Sequence, residues 1–250
     1  VEQAEHVVDL GADFRLQDAS LYPEWYGQEH VIQELLPRFS YGLPERYRSD
    51  ITKLDHVAVP GCYPTAAALA LAPLADAGLI QSTGVIVDAA TGVSGAGRPA
   101  KPTNTFAAVD SDFSAYGLLN HRHTIEMEIV TGAQVLFTPH LAPMTRGILA
   151  TCYARPTKVT STQELLEMLA KSYAGEPFVF ITEESPGTKA TFGSNSVHIT
   201  ARYDKRTDTV LTIAALDNLI KGASGQAIQC ANLLLGFDEG VGLSVVGIYP

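Results

Sequence analysis

The sequence lacks most of the features that mark membrane, secreted and metal-binding proteins. No apolar run reaches the roughly 18 residues of a transmembrane helix, because Pro73, Asp76 and Gly78 interrupt the longest candidate. Three cysteines among 250 residues are too few, and odd in number, for a disulfide framework. The first residues show no signal-peptide pattern, and neither CxxC nor HExxH occurs. We therefore expect a cytoplasmic, reducing location, no membrane partner and no metal.

Positive charge is also scarce. Lysine and arginine number 17 against 27 aspartates and glutamates, so the formal net charge is −10. Nucleic acids and anionic membranes bind basic surfaces, which argues against both as partners. A small anionic substrate would have to be held by individual arginines and backbone N–H groups. What the chain does have is length and apolar content, with 46% hydrophobic residues, enough for a sizeable core.

The first half of the chain alternates short strands with loops and one long helix. Short apolar segments predict strands over 6–10, directly before a turn that contains glycine, and over 56–59. A helix is predicted over 64–77, with Gly78 as its end. Pro73 lies inside that helix and should kink or shorten it, because its ring clashes with the carbonyl group of Leu69.

The second half is richer in strands. A strand over 84–90 leads into a glycine-rich loop, and a helix is predicted over 124–130. From residue 133 onwards, five strand-like segments follow, interrupted by a helix over 162–173. A last helix over 217–235 and a closing strand in "LSVVGIY" complete the chain. Strands in a run with interspersed long helices indicate an α+β fold.

One cysteine stands where a strand meets a helix, in "VAVPGCYPTAAALALAP" at residues 57–73. A helix N-terminus stabilises negative charge, so this position should lower the pKa of the Cys62 thiol and activate it as a nucleophile. The alternative is a buried structural cysteine. Cys152 and Cys230 lie inside regular apolar patterns, and we expect both to be structural.

A thiol nucleophile needs a partner for proton transfer, and the "HRH" segment supplies two imidazoles. In an extended segment His121 and His123 would face one side and Arg122 the other. Histidine titrates near neutral pH, which suits a general acid or base. Either histidine could instead be an ordinary polar loop residue. His140 is a weaker candidate.

The loop "TGVSGAGR" resembles a dinucleotide fingerprint only superficially. Its glycines run GxxGxG instead of GxGxxG, and no helix opens after it. Ser94 and Arg98 could nevertheless hold an anion, although a plain turn is equally consistent with the pattern. Arg146, in "MTRG", is a further arginine suited to a carboxylate or a phosphate.

Taken together, these segments resemble the N-acetyl-γ-glutamyl-phosphate reductases, NADPH-dependent enzymes of arginine biosynthesis. The resemblance rests on the cysteine motif and on "VVDLGADFRL", "YGLPE", "TGVSGAGR", "HRHTIE", "FTPHLAPMTRGILAT", "DNLIKGASGQAIQ" and "GLSVVG", in the same order and over essentially the whole chain. It implies a catalytic and dimerisation domain like that of glyceraldehyde-3-phosphate dehydrogenase, with a mixed sheet. It also implies a homo-oligomer, a dimer or a tetramer.

The same resemblance implies a mechanism. Cys62 would attack the acyl phosphate to form a thioester, NADPH would reduce it to the semialdehyde, and His123 would be the general acid and base. Substrate-binding residues would be His121, Arg98, Arg146, Glu126 and Tyr116, and Ser94, Gly95 and Asn218 would lie near NADPH. The alternatives are a reductase like aspartate-semialdehyde dehydrogenase, a Cys–His hydrolase or acyltransferase, and a fragment that only dimerises or binds a partner.

The sequence departs from the family pattern at its beginning. No Rossmann strand with a glycine-rich loop is present, so most of the NADP-binding domain is expected to be absent and the activity of this chain impaired. We expect residues 1–60 to be a remnant of that Rossmann-type domain. Residues 61–216 would form the catalytic and dimerisation domain, and residues 217–250 a helix and strand that pack back towards the dinucleotide-binding side.

Overall fold

The computed structural model describes residues 4–97, 99 and 101–248. Arg98, one of the predicted anion-binding residues, lies outside the described residues. Within the described part of the chain, no helix combines the length and the apolar character needed to cross a bilayer.

Strands and helices alternate along the chain. The strands are β1 (Val7–Asp9), β2 (Phe39–Tyr41), β3 (His56–Ala58), β4 (Val85–Gly92), β5 (Ser114–Ala115), β6 (Val135–Ala142), β7 (Ile148–Ala154), β8 (Val179–Ile181), β9 (Val197–Asp204) and β10 (Thr209–Leu216). The α-helices are α1 (Tyr22–Tyr26), α2 (Pro44–Ile51), α3 (Cys62–Asp76), α4 (Phe106–Val109), α5 (His123–Thr131), α6 (Thr162–Ser172), α7 (Thr188–Thr191) and α8 (Gly225–Leu234). A π-helical turn, Ile220–Ser224, precedes α8.

The larger sheet has seven strands in the order β5-β6-β4-β7-β10-β9-β8. The pairs β4–β6 and β8–β9 are parallel and the other pairs are antiparallel, so the sheet is mixed. Helices α3, α5 and α6 cover one face, and alternate residues of the strands are buried beneath them. This two-layer arrangement confirms the predicted α+β fold with a mixed sheet.

The smaller sheet is parallel, with the order β1-β3-β2. Helix α8 packs against β1 and against α2, so the C-terminal helix returns to the N-terminal sheet. The end of β3 is joined to α3 by a short connection that contains Gly61. Because of this connection, the small sheet fixes where α3 begins. The exact domain boundaries stay a prediction.

Helix α3 continues through Pro73 and ends at Asp76, so the predicted early end is wrong. The helix continues because Tyr173, the residue directly after α6, contacts it. Tyr173 donates its hydroxyl to the carbonyl group of Leu69 at 2.6 Å, which satisfies the acceptor that Pro73 cannot serve. The predicted end at Gly78 is confirmed, because Gly78 has a φ of +63° directly after the helix.

The predicted closing strand does not form in the described residues. Segment 243–248 has no strand assignment, although Asn195 donates its N–H to the carbonyl of Ser244 at 2.8 Å and Ile248 donates to the carbonyl of Phe192 at 2.7 Å. The apolar side chains of Val246 and Ile248 are exposed instead of covered. An apolar pattern predicts a strand only where a sheet edge is free to pair with it, and this segment meets a loop.

Candidate active site

Two helix N-termini meet at one pocket. Helix α3 begins at Cys62 and helix α5 begins at His123, and both residues line a pocket of about 280 Å³. Its other lining residues are Leu10, Arg15, Val59, Pro60, Gly61, Ser94, Gly95, Gly97, Arg122, Asn218, Leu219, Gly222 and Ala223. Side chains from distant parts of the sequence therefore surround one thiol.

Cys62 is a partly exposed residue that lines this pocket, but its thiol is not acidic. Burial of the thiol raises the pKa of Cys62 to about 11, and this outweighs the lowering by the backbone N–H of Tyr63 and by Arg15. The predicted activation by the helix N-terminus alone is thus wrong for the free protein. Gly222 approaches so closely that a Cβ atom there would lie 2.8 Å from the Cβ of Cys62.

The two histidines do converge, but not in the predicted way. His121 ends a loop, Arg122 has helical backbone angles and His123 opens α5, so the segment is turned instead of extended. The imidazole rings lie 4.7 Å apart between centroids, and the backbone N–H of His123 donates to Nδ1 of His121 at 3.2 Å. Burial lowers the pKa of His121 to about 4 and holds that of His123 well below its usual range.

His123 lies directly behind the cysteine loop. A Cβ atom on Gly61 would overlap Nε2 of His123, so the imidazole packs against the residue that precedes Cys62. Tyr63 packs edge-on against both imidazoles, with centroid distances of 5.9 and 6.0 Å. Tyr116 donates its hydroxyl to that of Tyr63 at 3.1 Å. Tyr116 is not among the pocket-lining residues and supports the histidines from behind.

Glu126 occupies a different place from the one expected of a substrate-binding residue. Its side chain is fully buried in the first turn of α5. One oxygen accepts from the N–H of Gly61 and the hydroxyl of Tyr41, both at 3.0 Å, and the other accepts from Arg15 at 3.1 Å. Nε2 of His123 lies 3.9 Å away. The carboxylate therefore joins the segments that build the pocket, and we propose a positioning role.

Arg122 lines the Cys62 pocket and Arg146 does not, which is the reverse of what the sequence predicts. The sequence predicted that Arg122 points away from the histidines, but it lines the pocket with Cys62. Arg146 does not line this pocket. It pairs with the buried carboxylate of Asp217 at 3.1 Å and lies over the ring of Phe192. Its charge is thus already neutralised, which weakens its assignment to the substrate.

Ser94, Gly95 and Asn218 line the same pocket as Cys62, and their place near NADPH stays a prediction. Asn218 donates its amide to the hydroxyl of Ser94 at 3.0 Å and accepts from the N–H of Gly147 at 2.7 Å. Gly95 and Gly222 leave one wall of the pocket without side chains. A flat ring could therefore lie against backbone here, next to Cys62, which fits the nicotinamide end of a dinucleotide.

Two features of the site could not be found by reading the sequence. Arg15 reaches the pocket from the loop after β1, with its Nε buried and without a hydrogen-bond partner among the described residues. Lys221, in the π-helical turn, is fully buried against Glu45 of α2. Nothing in the local sequence around either residue signals these contacts. The structural assignment of Cys152 and Cys230 is confirmed, because both are completely buried.

Comparisons with known proteins agree with this architecture. The family model described as "Semialdehyde dehydrogenase, dimerisation domain" matches residues 62–218. The N-acetyl-gamma-glutamyl-phosphate reductase of Desulforudis audaxviator is 47% identical over all of this chain, which spans 75% of that protein. The enzyme of the same name from Moorella thermoacetica is 46% identical, with 74% of its length spanned.

A solved structure shows the same fold at low sequence identity. Aspartate semialdehyde dehydrogenase II from Vibrio cholerae, in complex with ASA, superposes with a TM-score of 0.65 and 16% identity. The match covers 92% of this chain and 80% of that one. The resemblance to this structure concerns the fold alone.

Proposed function

This chain belongs to the N-acetyl-gamma-glutamyl-phosphate reductase family, and we propose that its pocket performs the cysteine-centred reduction of an N-acetylated γ-glutamyl phosphate. The observation that carries the proposal is the meeting of Cys62 and His123 at two helix N-termini in one pocket. A thiol beside an imidazole is the arrangement required for thioester chemistry.

In the first step, Sγ of Cys62 bonds to the acyl carbon of the substrate. The bond between that carbon and the phosphate oxygen breaks, and phosphate leaves. The thiol proton passes to His123 and from there to the departing phosphate. The N–H groups at the start of α3, together with Arg15, provide positive potential for the oxyanion that develops on the carbonyl oxygen.

The protonation states favour His123 as the base. A thiol with a raised pKa and an imidazole with a lowered pKa are both neutral at pH 7. The proton must then move during the attack instead of before it, which is general base catalysis. Glu126 keeps Gly61 in place beside the imidazole through its bond to the N–H of that glycine.

NADPH, when bound, supplies the hydride that reduces the thioester. Ser94, Gly95 and Asn218 would hold its nicotinamide end, because they form the side-chain-poor wall next to Cys62. Hydride addition would leave an alkoxide on the former acyl carbon, which the N–H groups at the start of α3 would stabilise. Its collapse to the aldehyde would break the bond to Sγ and expel Cys62 as a thiolate, which would then take up a proton from solvent by way of His123.

We also propose that two copies associate through the uncovered face of the large sheet. Apolar side chains on that face, Ile86, Leu136, Tyr153 and Phe180, are exposed by 37–49% of their surface. In the described part of the chain, helices α3, α5 and α6 cover the other face, so these strands resemble half of a buried interface. The match to a dimerisation-domain model supports a second copy as the occupant.

The half-reaction that needs no cofactor tests the function. We expect N-acetyl-γ-glutamyl phosphate to acylate Cys62 and to release one equivalent of phosphate, measured by intact-protein mass spectrometry and a phosphate assay. Cys62→Ser should abolish the thioester, whereas Cys152→Ser should retain it because that thiol is fully buried. Acylation that persists in Cys62→Ser, or an adduct on another residue, would contradict the proposal.

A further inference from the structure

A second pocket adjoins the site of Cys62. It has a volume of about 330 Å³ and lies among the loop after β1, the segment after α1 and Arg122. Arg122 also lines the Cys62 pocket, so the two spaces share this one arginine. None of the residues predicted from the sequence to bind substrate or cofactor lines this second pocket.

Arg122 is available to bind a ligand. The two other described arginines near the site are engaged, Arg15 with Glu126 and Arg146 with Asp217. For the exposed Arg122, residues 4–97, 99 and 101–248 provide no hydrogen bond or ion pair. An arginine presents a planar fork of donors that matches a carboxylate. Arg122 can therefore bind a carboxylate without first giving up an internal partner.

The wall behind Arg122 is aromatic and carries one unsatisfied polar atom. Phe14 and Tyr22 pack edge-on against the imidazole of His30, at centroid distances of 5.5 and 4.7 Å. The hydroxyl oxygen of Tyr26 is buried and has no hydrogen-bond partner among the described residues. A buried hydroxyl without a partner is unfavourable, so a ligand that accepts a hydrogen bond here would gain more than one that does not.

From this geometry we infer that the second pocket is the specificity subsite for the N-acylated end of the substrate. Arg122 binds the α-carboxylate, the aromatic wall contacts the acyl group, and the Tyr26 hydroxyl donates to the amide oxygen. The inference rests on the proposed function, since it takes the acyl carbon of the same molecule to lie at Cys62.

Two acidic residues of the second pocket determine which way round the substrate binds. Asp13 and Glu29 are exposed lining residues, and their carboxylates would repel a second negative charge. The α-carboxylate therefore belongs at Arg122, next to the Cys62 pocket, and the uncharged acyl group extends towards the aromatic wall.

Three ligands test the contact of Arg122 with the α-carboxylate separately from the contact of Tyr26 with the amide oxygen. N-acetylglutamate carries both groups, glutarate lacks the acetamido group, and 4-acetamidobutyrate lacks the α-carboxylate. Calorimetric titration of the full chain measures the affinities. Arg122→Gln should weaken the binding of N-acetylglutamate and of glutarate by about tenfold or more, the size expected for a lost charge-assisted hydrogen bond. Binding of 4-acetamidobutyrate should change less than about twofold.

Tyr26→Phe should give the complementary pattern. We expect binding of N-acetylglutamate and 4-acetamidobutyrate to weaken by about fivefold, because one neutral hydrogen bond is lost. Glutarate should be unaffected. Arg206→Gln is the matched control, since Arg206 is exposed at the turn between β9 and β10, paired only at 3.6 Å with Asp204, and should alter none of the affinities.

Three results would overturn the proposed subsite. These are no binding of N-acetylglutamate to the wild-type chain, an equal loss of affinity for all three ligands in both variants, or no loss of affinity in either variant. Thioester formation on Cys62 in the wild-type chain, combined with one of these results, would leave the proposed function standing. The expected ligand pattern without any thioester would support the subsite and count against the proposed chemistry.

Discussion

At the scale of single residues, the thiol of Cys62 and the imidazole of His123 are both uncharged before substrate arrives. The Cys62 thiol is protonated because burial raises its pKa to about 11, and His123 is uncharged because burial lowers its pKa. A helix N-terminus supplies favourable potential, but the removal of water around the thiol costs more. This arrangement protects the thiol from adventitious reaction and makes proton transfer to His123 part of the attack.

The neutral thiol has a measurable consequence for alkylation. Only the thiolate reacts with iodoacetamide, so the rate constant at Cys62 should rise about tenfold per pH unit between pH 7 and 10. The reason is that these pH values lie below a pKa of about 11. Rates at Cys62 can be followed by peptide mass spectrometry.

The control for this measurement is Cys62→Ser, which should show no comparably fast modification. Cys152 and Cys230 should stay unmodified in the folded chain because both are fully buried. A rate that levels off near pH 8.5, the ordinary thiol value, would contradict the raised pKa of Cys62. A rate that levels off well below pH 8.5 would show that the site activates the thiol in the free protein.

At the scale of elements, the pocket depends on how the π-helical turn Ile220–Ser224 is anchored. Its Lys221 is fully buried and donates to Glu45 of α2 at 2.5 Å and to Gln229 of α8 at 2.8 Å. The next residue, Gly222, packs against Cys62. The ion pair thus links α2, the turn and α8, and it holds the backbone that closes one side of the thiol.

Breaking this pair should destabilise the chain. Lys221→Met leaves the Glu45 carboxylate buried without its partner, and we expect the free energy of unfolding to fall by about 3–5 kcal/mol. The double variant Glu45→Gln/Lys221→Met removes both charges and should recover at least half of that loss. Urea denaturation followed by circular dichroism measures both.

Lys53→Met provides the matched control. Lys53 is mostly exposed and pairs loosely with Asp50 at 3.6 Å, so its replacement should change the free energy of unfolding by less than about 0.5 kcal/mol. A loss in Lys221→Met no larger than in Lys53→Met would mean that the buried pair does not anchor the turn.

At the scale of the whole molecule, the large sheet is covered on one side only. Leu136 of β6 lies next to Ile86 of β4 in the register, and Tyr153 of β7 lies on the other side of Ile86. These side chains form a continuous apolar strip across the centre of the uncovered face. Such a strip is stable in water when a second surface covers it.

We expect Leu136→Asp to convert the oligomer to monomers, because it places a charge in the strip next to Ile86. In sedimentation equilibrium the variant should approach the chain mass of 26.7 kDa, whereas the wild-type chain should sediment as a multiple of it. Val159→Asp is the control, since Val159 is 88% exposed in the loop after β7. A wild-type chain that is monomeric at micromolar concentration would contradict the proposed interface.

Local pattern was sufficient for most elements and for the central thiol. The helix that begins near Cys62, its end at Gly78 and the strands β1, β3 and β4 follow from periodicity and from glycine and proline signals, which act between residues close in sequence. The closing strand was wrong because a strand exists only by pairing. The early end of α3 was wrong because Tyr173, 104 positions away from Leu69, accommodates Pro73.

The sequence by itself determined the fold class, the family and the cysteine at the start of α3. The tertiary structure alone decided that the thiol is neutral, that Arg122 faces the pocket while Arg146 is paired with Asp217, and that Glu126 supports Gly61. The physical reason is that desolvation and ion pairing depend on atoms brought together by folding, and residue spacing along the chain carries no information about either.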